Sequence, residues 1–531
     1  MRSSNYEEFL EWIVYQIYPR SFKDSNGDGI GDLQGITKKA DHLQELGVNA
    51  VWLCPCYKSP QVDNGYDISD YRAILDDFGS LEDWFAMRDA LHSRGIKVIM
   101  DLVPNHTSDK HEWFIKSKQK ISPYTDYYYW ANEPLNDWTA CFGGSTWEYC
   151  DERGQYYLHS YAIEQPDLNF DNPAVREEIK AVIDFWVDLG VDGFRIDVID
   201  QISKDFLGGR NCFGPHLHEY IRELFGREKT KGIFTVGECW ATDLDEVKRH
   251  CAKERKELTT LFQFDHIEHG RNGRFTPAPF SLNEITNDLS RWQRLTYENN
   301  LLYTLFMDNH DQPRFLSRFG NDKELRYECA TMFAGMFYLG RGIPFIYQGQ
   351  EFGMTNSYHE DFADFRDVEN VDFYTQNKGK LDDSELMARL NFGSRDNARR
   401  PVAWNSEKYG GFSTVEPWIP TYSRYQEINL AKDKASQKSI FAFYKKLLEF
   451  RKNSPTILYG SYQEITAKNE NCFIYEREFK GETITVVCNF DKENKIQLPY
   501  KNAKLLLSNY TENRSISGVY SPYELAVFKI Q

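Results

Sequence analysis

The chain has 531 residues, 63 basic against 80 acidic, a formal net charge of −17 and 15% aromatic residues. That length exceeds what a single core usually holds and points to two or three domains. The negative balance argues against a nucleic-acid or anionic-membrane partner and favours a soluble protein with a neutral substrate. The aromatic share suits stacking against sugar faces, although plain core packing uses the same residues.

In chain order, the amino terminus Met1-Arg2-Ser3-Ser4-Asn5-Tyr6 has no apolar leader behind it. No stretch approaches the roughly 18 apolar residues of a spanning helix. From about residue 13 to 351, short β-branched strands alternate with amphipathic helical stretches. Strands are predicted over 14–18, 50–53, 97–103, 193–198, 234–238, 261–265, 302–307 and 345–348. Eight strands, most followed by helix-compatible sequence, point to the α/β class and a (β/α)8 barrel. Helices are predicted over 81–94, ended by Gly95, and over 173–189, opened by Pro173 and ended by Gly190.

Residues 105–172 are rich in Tyr, Trp, Asn and Gly with little helical period, and are too long for an ordinary loop. They read as a small inserted domain after the third strand. A helix around 441–450 precedes alternating strands over 483–489, 503–508 and 524–529. The predicted layout is therefore a barrel in two parts, 1–104 and 173–457, an insert at 105–172 and an antiparallel β domain at 458–531. Ten cysteines are scattered, several inside apolar runs (Cys54, Cys56, Cys239, Cys329, Cys488), without a CxxC pair. Cys54-Pro55-Cys56 is too tight for a disulfide, so reduced, mostly buried thiols in a cytosolic protein are expected.

Acids at the tails of buried strands are costly to desolvate and need a reason to be there. Asp197 ends Gly193-Phe194-Arg195-Ile196-Asp197, Glu238 ends Phe234-Thr235-Val236-Gly237-Glu238, and Asp311 follows Asp308-Asn309-His310. Paired carboxylates are what glycosidic cleavage requires, one protonating the leaving oxygen and the other attacking the anomeric carbon. Arg195 and Asp197, two apart on a strand, share a face, and the guanidinium favours an ionised nucleophile. Glu238, flanked by apolar side chains, is placed to keep a proton as general acid. Asp101-Leu102-Val103-Pro104-Asn105-His106 ends the third strand with a similar mix of Asp, Asn and His.

In order, these residues resemble the α-amylase family of glycoside hydrolases over nearly the whole chain. Asp101–His106, Gly193–Asp197, Glu238 and Asn309–Asp311 match its four hallmark regions, with further matches at Gln165–Asn169 and Gly342–Gly349. The resemblance implies Asp197 as nucleophile, Glu238 as acid/base and Asp311 as stabiliser. It implies sugar contacts from Tyr66, Asp67, His106, Arg195 and His310, and an exo-acting pocket closed by Arg399. Gln165–Asn169 and Arg395–Arg399 resemble the oligo-1,6-glucosidase group, in which valine after the nucleophile, here Val198, accompanies α-1,6 linkages. Strand propensity alone would also explain that valine.

The run Asp24-Ser25-Asn26-Gly27-Asp28-Gly29-Ile30-Gly31-Asp32 alternates oxygen donors with small residues, as a hard cation prefers, yet lacks the glutamate of an EF-hand. The resemblance implies a structural Ca²⁺ held by Asp24, Asn26, Asp28, the Ile30 carbonyl and Asp32. Departures from the group fall at Arg400-Pro401-Val402-Ala403 and at Cys239, on the leaving-sugar side. The expected activity is a retaining exo-α-glucosidase on isomalto-oligosaccharides, cytoplasmic, monomeric or weakly dimeric. Its rivals are a transglucosylase or sucrose isomerase, a trehalose-6-phosphate hydrolase with Arg400 in a phosphate pocket, and a non-catalytic relative.

Overall fold

A computed structural model describes residues 6–466, 471–510 and 513–531. The first five residues, where a leader was sought, lie outside that description. Eight parallel strands form the central sheet: β1 Val14–Ile17, β2 Ala50–Leu53, β3 Lys97–Leu102, β4 Gly193–Ile196, β5 Phe234–Gly237, β6 Thr260–Leu261, β7 Thr304–Phe306 and β8 Ile343–Tyr347. Their order is β6-β5-β4-β3-β2-β1-β8-β7. Strands buried on both faces need apolar residues at every position, hence runs such as Ile343-Pro344-Phe345-Ile346-Tyr347. Between β6 and β7, side chains take the place of a ladder. Thr260 Oγ1 donates to the Leu302 carbonyl at 2.9 Å and Thr304 Oγ1 to that of Leu261 at 3.1 Å.

Several strands end earlier than their apolar runs. The run at 261–265 yields only Thr260–Leu261, and Asp265 already opens a short helix, Asp265–Glu268. The Phe262 ring packs against Trp52, Phe306 and Phe345, so the segment's apolarity is satisfied without a longer ladder. The fourth strand stops at Ile196 because Val198 turns left-handed. Helix boundaries follow capping chemistry. Ser80 and Asp83 form a capping box at Leu81–His92, and Asn172 with Pro173 starts Pro173–Asp188.

Between β3 and β4 lie a short helix, Glu112–Lys118, and a three-stranded sheet of Trp130–Ala131, Gln155–Leu158 and Trp147–Cys150. Tyr129, Ala131, Trp147 and Leu158 give that sheet its own small core. The carboxyl-terminal strands β9 Ser461–Glu464, β10 Cys472–Phe479, β11 Glu482–Asn489, β12 Ala503–Ser508 and β13 Leu525–Ile530 form an antiparallel sheet ordered β9-β10-β11-β13-β12. This sheet packs on the helix Arg326–Tyr338, which is apolar all round because the barrel covers its other side. Gly335 permits that approach, since a Cβ there would meet Leu525 at 2.2 Å. Among the described residues, no helix is long and apolar enough to cross a membrane.

Candidate active site

Strand register brings the acids together. Asp101 pairs with Arg195, and Arg195 with Val236, so the three side chains lie side by side on one face. Two residues further on, Asp197 and Glu238 continue that face; the Asp197 amide donates to Leu102 O and that of Glu238 to Ile196 O, both at 2.8 Å. Arg195 Nη1 donates to Asp101 Oδ1 at 2.9 Å and to Asp197 Oδ1 at 2.6 Å, while its Nη2 donates to Glu238 Oε2. Trp52 Nε1 and the Tyr66 hydroxyl, each at 3.1 Å, hold the other oxygen of Asp101. Burial pushes the carboxyls of Asp101 and Asp197 up, and Arg195 only partly opposes it.

A second cluster stands opposite. Asp311 Oδ1 accepts from Arg399 Nη2 at 3.0 Å and from Arg395 Nη1 at 3.3 Å, and its Oδ2 lies 3.0 Å from His310 Nε2. Gln16 Nε2 donates to His310 Nδ1 at 2.9 Å, which leaves the ring proton on Nε2, toward Asp311 and the Tyr66 hydroxyl. Burial raises the Asp311 carboxyl, but His310, Arg395 and Arg399 together hold it well below the usual carboxylate range. The same two arginines hold Asp367 low against its burial. Asp63, met by the Arg395 guanidinium at 3.3 Å and by Gln165 Nε2 at 3.2 Å, is pushed up by burial to about 7.

Both clusters border one cavity of about 120 Å³, lined in part by Asp63, Tyr66, His106, Asp197, Glu238 and Asp311. A larger cavity of about 320 Å³ lies at the amino-terminal ends of β5 and β6, beside Ile233, Thr235 and Thr259. In a parallel barrel that face serves stability, whereas the carboxyl ends carry chemistry. His106 is held neutral, its ring pushed down to about 4 by burial.

Four expected sugar contacts lie one layer behind the wall: Arg195, His310, Asp67 and Arg399. Asp67 is wholly buried and spends its oxygens on Ser59 Oγ and the amides of Val62 and Asp63. It shapes the loop that presents Asp63 to the cavity. Arg399 sits behind Arg395, bound to Asp311, Asp367 and the His310 carbonyl. In both cases the sequence offers two like residues four apart, and the structure brings the other one forward. Arg400 also stays out of the cavity, donating to the carbonyls of Pro420 and Asp364. Arg274, Glu369, Phe142 and Trp240, unmarked in the sequence, complete the rim.

Val198 lines the same cavity with φ +35°, a left-handed conformation rare for a β-branched residue. Such backbone costs on the order of 1–3 kcal/mol and persists where its surroundings enforce it. Far from this site, Asp24 accepts from the amides of Asn26, Gly27 and Gly29 and from Ser413 Oγ. Asp32 accepts from the Ser25 and Gly35 amides, and Asp28 from that of Ile30. Carboxylate, amide and carbonyl oxygens in this loop are a donor set that fits Ca²⁺.

Facing carboxylates at the carboxyl rim of a parallel barrel define a glycoside hydrolase. Residues 16–460 match the family model described as alpha amylase, catalytic domain. The chain belongs to the α-amylase family. It is 43% identical to an oligo-1,6-glucosidase of Bacillus cereus, over 98% of this chain and 99% of that one. It is 41% identical to the trehalose-6-phosphate hydrolase of Escherichia coli, over 94% of each. Among solved structures, the trehalulose synthase of Pseudomonas mesoacidophila superposes with a TM-score of 0.94 at 36% identity, covering 99% of both chains.

Proposed function

We propose that this enzyme is a retaining exo-α-glucosidase that opens α-1,6-glucosidic bonds at the non-reducing ends of isomalto-oligosaccharides and similar short α-glucosides. Glu238 protonates the bridging oxygen while Asp197 attacks the anomeric carbon through an oxocarbenium-like state. Water, deprotonated by Glu238, then releases glucose from the glucosyl-Asp197 intermediate with the α configuration kept. The observation that carries this reading is the single Arg195 guanidinium whose two terminal nitrogens meet Asp197 and Glu238. Carboxyls gathered so closely suit the retaining separation of about 5–5.5 Å. Burial pushes the Asp101 and Asp197 carboxyls up, with Arg195 opposing it, beside the general acid.

Asp311, held ionised, serves sugar hydroxyls and the developing positive charge. Tyr66, His106, Asp63 and Arg395 frame the pocket, whose small volume of about 120 Å³ supports exo action. Curated relatives named oligo-1,6-glucosidase at 41–43% identity over nearly the whole chain support the linkage. A phosphorylated disaccharide fits less well. The arginines on the rim are Arg274 and Arg395, and both are committed to carboxylates, Arg274 to Glu369 and Arg395 to Asp63, Asp311 and Asp367.

A Ca²⁺ ion held by Asp24, Asn26, Asp28, the Ile30 carbonyl and Asp32 would brace the loop and supply no catalytic group. Seven buried cysteines support a reducing, cytoplasmic setting, and the enzyme acts as a monomer or weak dimer. The decisive assay counts glucose released from isomaltose, panose, maltose, sucrose, trehalose and trehalose-6-phosphate. Isomaltose and panose should lead. Preferred turnover of trehalose-6-phosphate, or conversion of sucrose to isomers without glucose release, would replace this reading with the corresponding rival.

A further inference from the structure

Away from the catalytic rim, the helices Leu217–Phe225 and Leu244–Cys251 bring His218, Glu246 and His250 together. One ligand atom of each lies within 4.8 Å of the other two, an arrangement no other group of His, Cys, Asp or Glu shows among the described residues. Glu246 and His250 stand four apart on one helix and so share a face, while His218 reaches in from the neighbouring helix. His218 Nε2 lies 3.1 Å from Glu246 Oε1. The edge of a tetrahedron with metal–ligand bonds of about 2.0–2.1 Å is roughly 3.3–3.4 Å.

The outer contacts fit a ligating role as well. Glu257, whose side chain is wholly buried, lies 2.8 Å from His218 Nδ1 and is itself held by Arg255 at 2.8 Å. A carboxylate on the second ring nitrogen is what orients a metal-bound imidazole and raises its basicity. His250 Nδ1 donates to the Glu246 backbone carbonyl at 2.9 Å and lies 3.5 Å from Glu246 Oε1, and its Nε2 is buried with no hydrogen-bond partner. A buried, unpartnered ring nitrogen is a cost that a cation would remove. Arg249 engages the other Glu246 oxygen, Oε2, at 3.4 Å, leaving Oε1 to the histidine. His218 and Glu246 keep part of their surface open, which gives access from solvent.

We propose that His218, Glu246 and His250 form a binding site for a divalent transition metal of the zinc class, with water completing the coordination. Bound metal would staple the helix before β5 to the helix after it, stiffening the segment that carries Glu238. The competing arrangement is a plain ion pair, with His218 protonated between Glu246 and Glu257.

Co²⁺ titrated into the full chain, with Ca²⁺ present to occupy the acidic loop, separates the two. One equivalent should bind, with visible d–d absorption, no thiolate charge-transfer band and a melting temperature raised by about 2 °C or more. Glu246→Gln and His250→Gln should each weaken binding at least about tenfold and leave isomaltose turnover unchanged. His218→Gln, at the more open side, provides the same comparison should a buried variant fail to fold. No saturable binding at millimolar Co²⁺ or Zn²⁺, or equal binding by the folded variants, would leave only the ion pair and overturn the site.

Discussion

Two acid–arginine clusters meet in the cavity, and they differ in how many guanidinia serve each carboxylate. Around Arg195 three acids, Asp101, Asp197 and Glu238, share one cation. Across from it, Arg395 and Arg399 serve Asp311 and Asp367 together, with His310 adding a further donor to Asp311. Asp101, Asp197 and Asp367 are nearly or wholly enclosed, whereas Glu238 and Asp311 are partly open, one in each cluster, so burial alone does not tell the clusters apart. The ratio does: Asp101 and Asp197 are pushed up by burial, whereas Asp311 and Asp367 are held down despite it. Asp63 marks the midpoint, with one guanidinium contact and a carboxyl pushed up to about 7 by burial. One cluster is thus built to hold and pass a proton, the other to stay charged against a cationic sugar.

Breaking the proton-holding cluster should have the largest effect. Asp197→Asn removes the proposed nucleophile, and kcat/KM on isomaltose should fall by about 10⁴ or more, roughly 5 kcal/mol. Near-wild-type hydrolysis by that variant would dissolve the distinction between the clusters.

Asp63→Asn probes the charged side with a smaller effect. Folded Asp63 holds its proton to about 7, whereas an unfolded aspartate loses its own near 4. The folded state therefore binds more protons in that window, and stability falls as pH rises through it and then levels off. The asparagine variant should lose that decline, read as a flatter melting temperature between about pH 4 and 7. Its KM should rise about tenfold through loss of a carboxyl partner for sugar hydroxyls. An unchanged pH profile would show Asp63 to be ionised like Asp311.

The smallest effect is expected at Val198, on the cavity wall beside Asp197. Val198→Thr keeps the shape and adds a hydroxyl. The isomaltose-to-maltose ratio of kcat/KM should shift toward maltose by up to about tenfold, near 1.4 kcal/mol. An unmoved ratio would assign linkage preference to the rim residues Trp240, Phe264 and Arg274 instead.

Much of this was legible in the chain. Buried strand periodicity announced the barrel, and acids at strand tails announced the rim, because a charge in an apolar run carries a desolvation cost that only function or pairing explains. Strand ends were read less well. Phe262 and Val198 look like strand continuations, and only ring packing and a left-handed turn stop the ladder there.

The sequence by itself determined the fold class and the acids Asp197, Glu238 and Asp311, since periodicity and charge are local properties of the chain. Tertiary structure alone decided which member of each like pair lines the cavity: Asp63 over Asp67, and Arg395 over Arg399. Four residues separate each pair, and the choice depends on which partners already claim the side chain. Asp67 is claimed by its own loop's amides and Arg399 by Asp311 and Asp367, and those partners come together only when the chain folds.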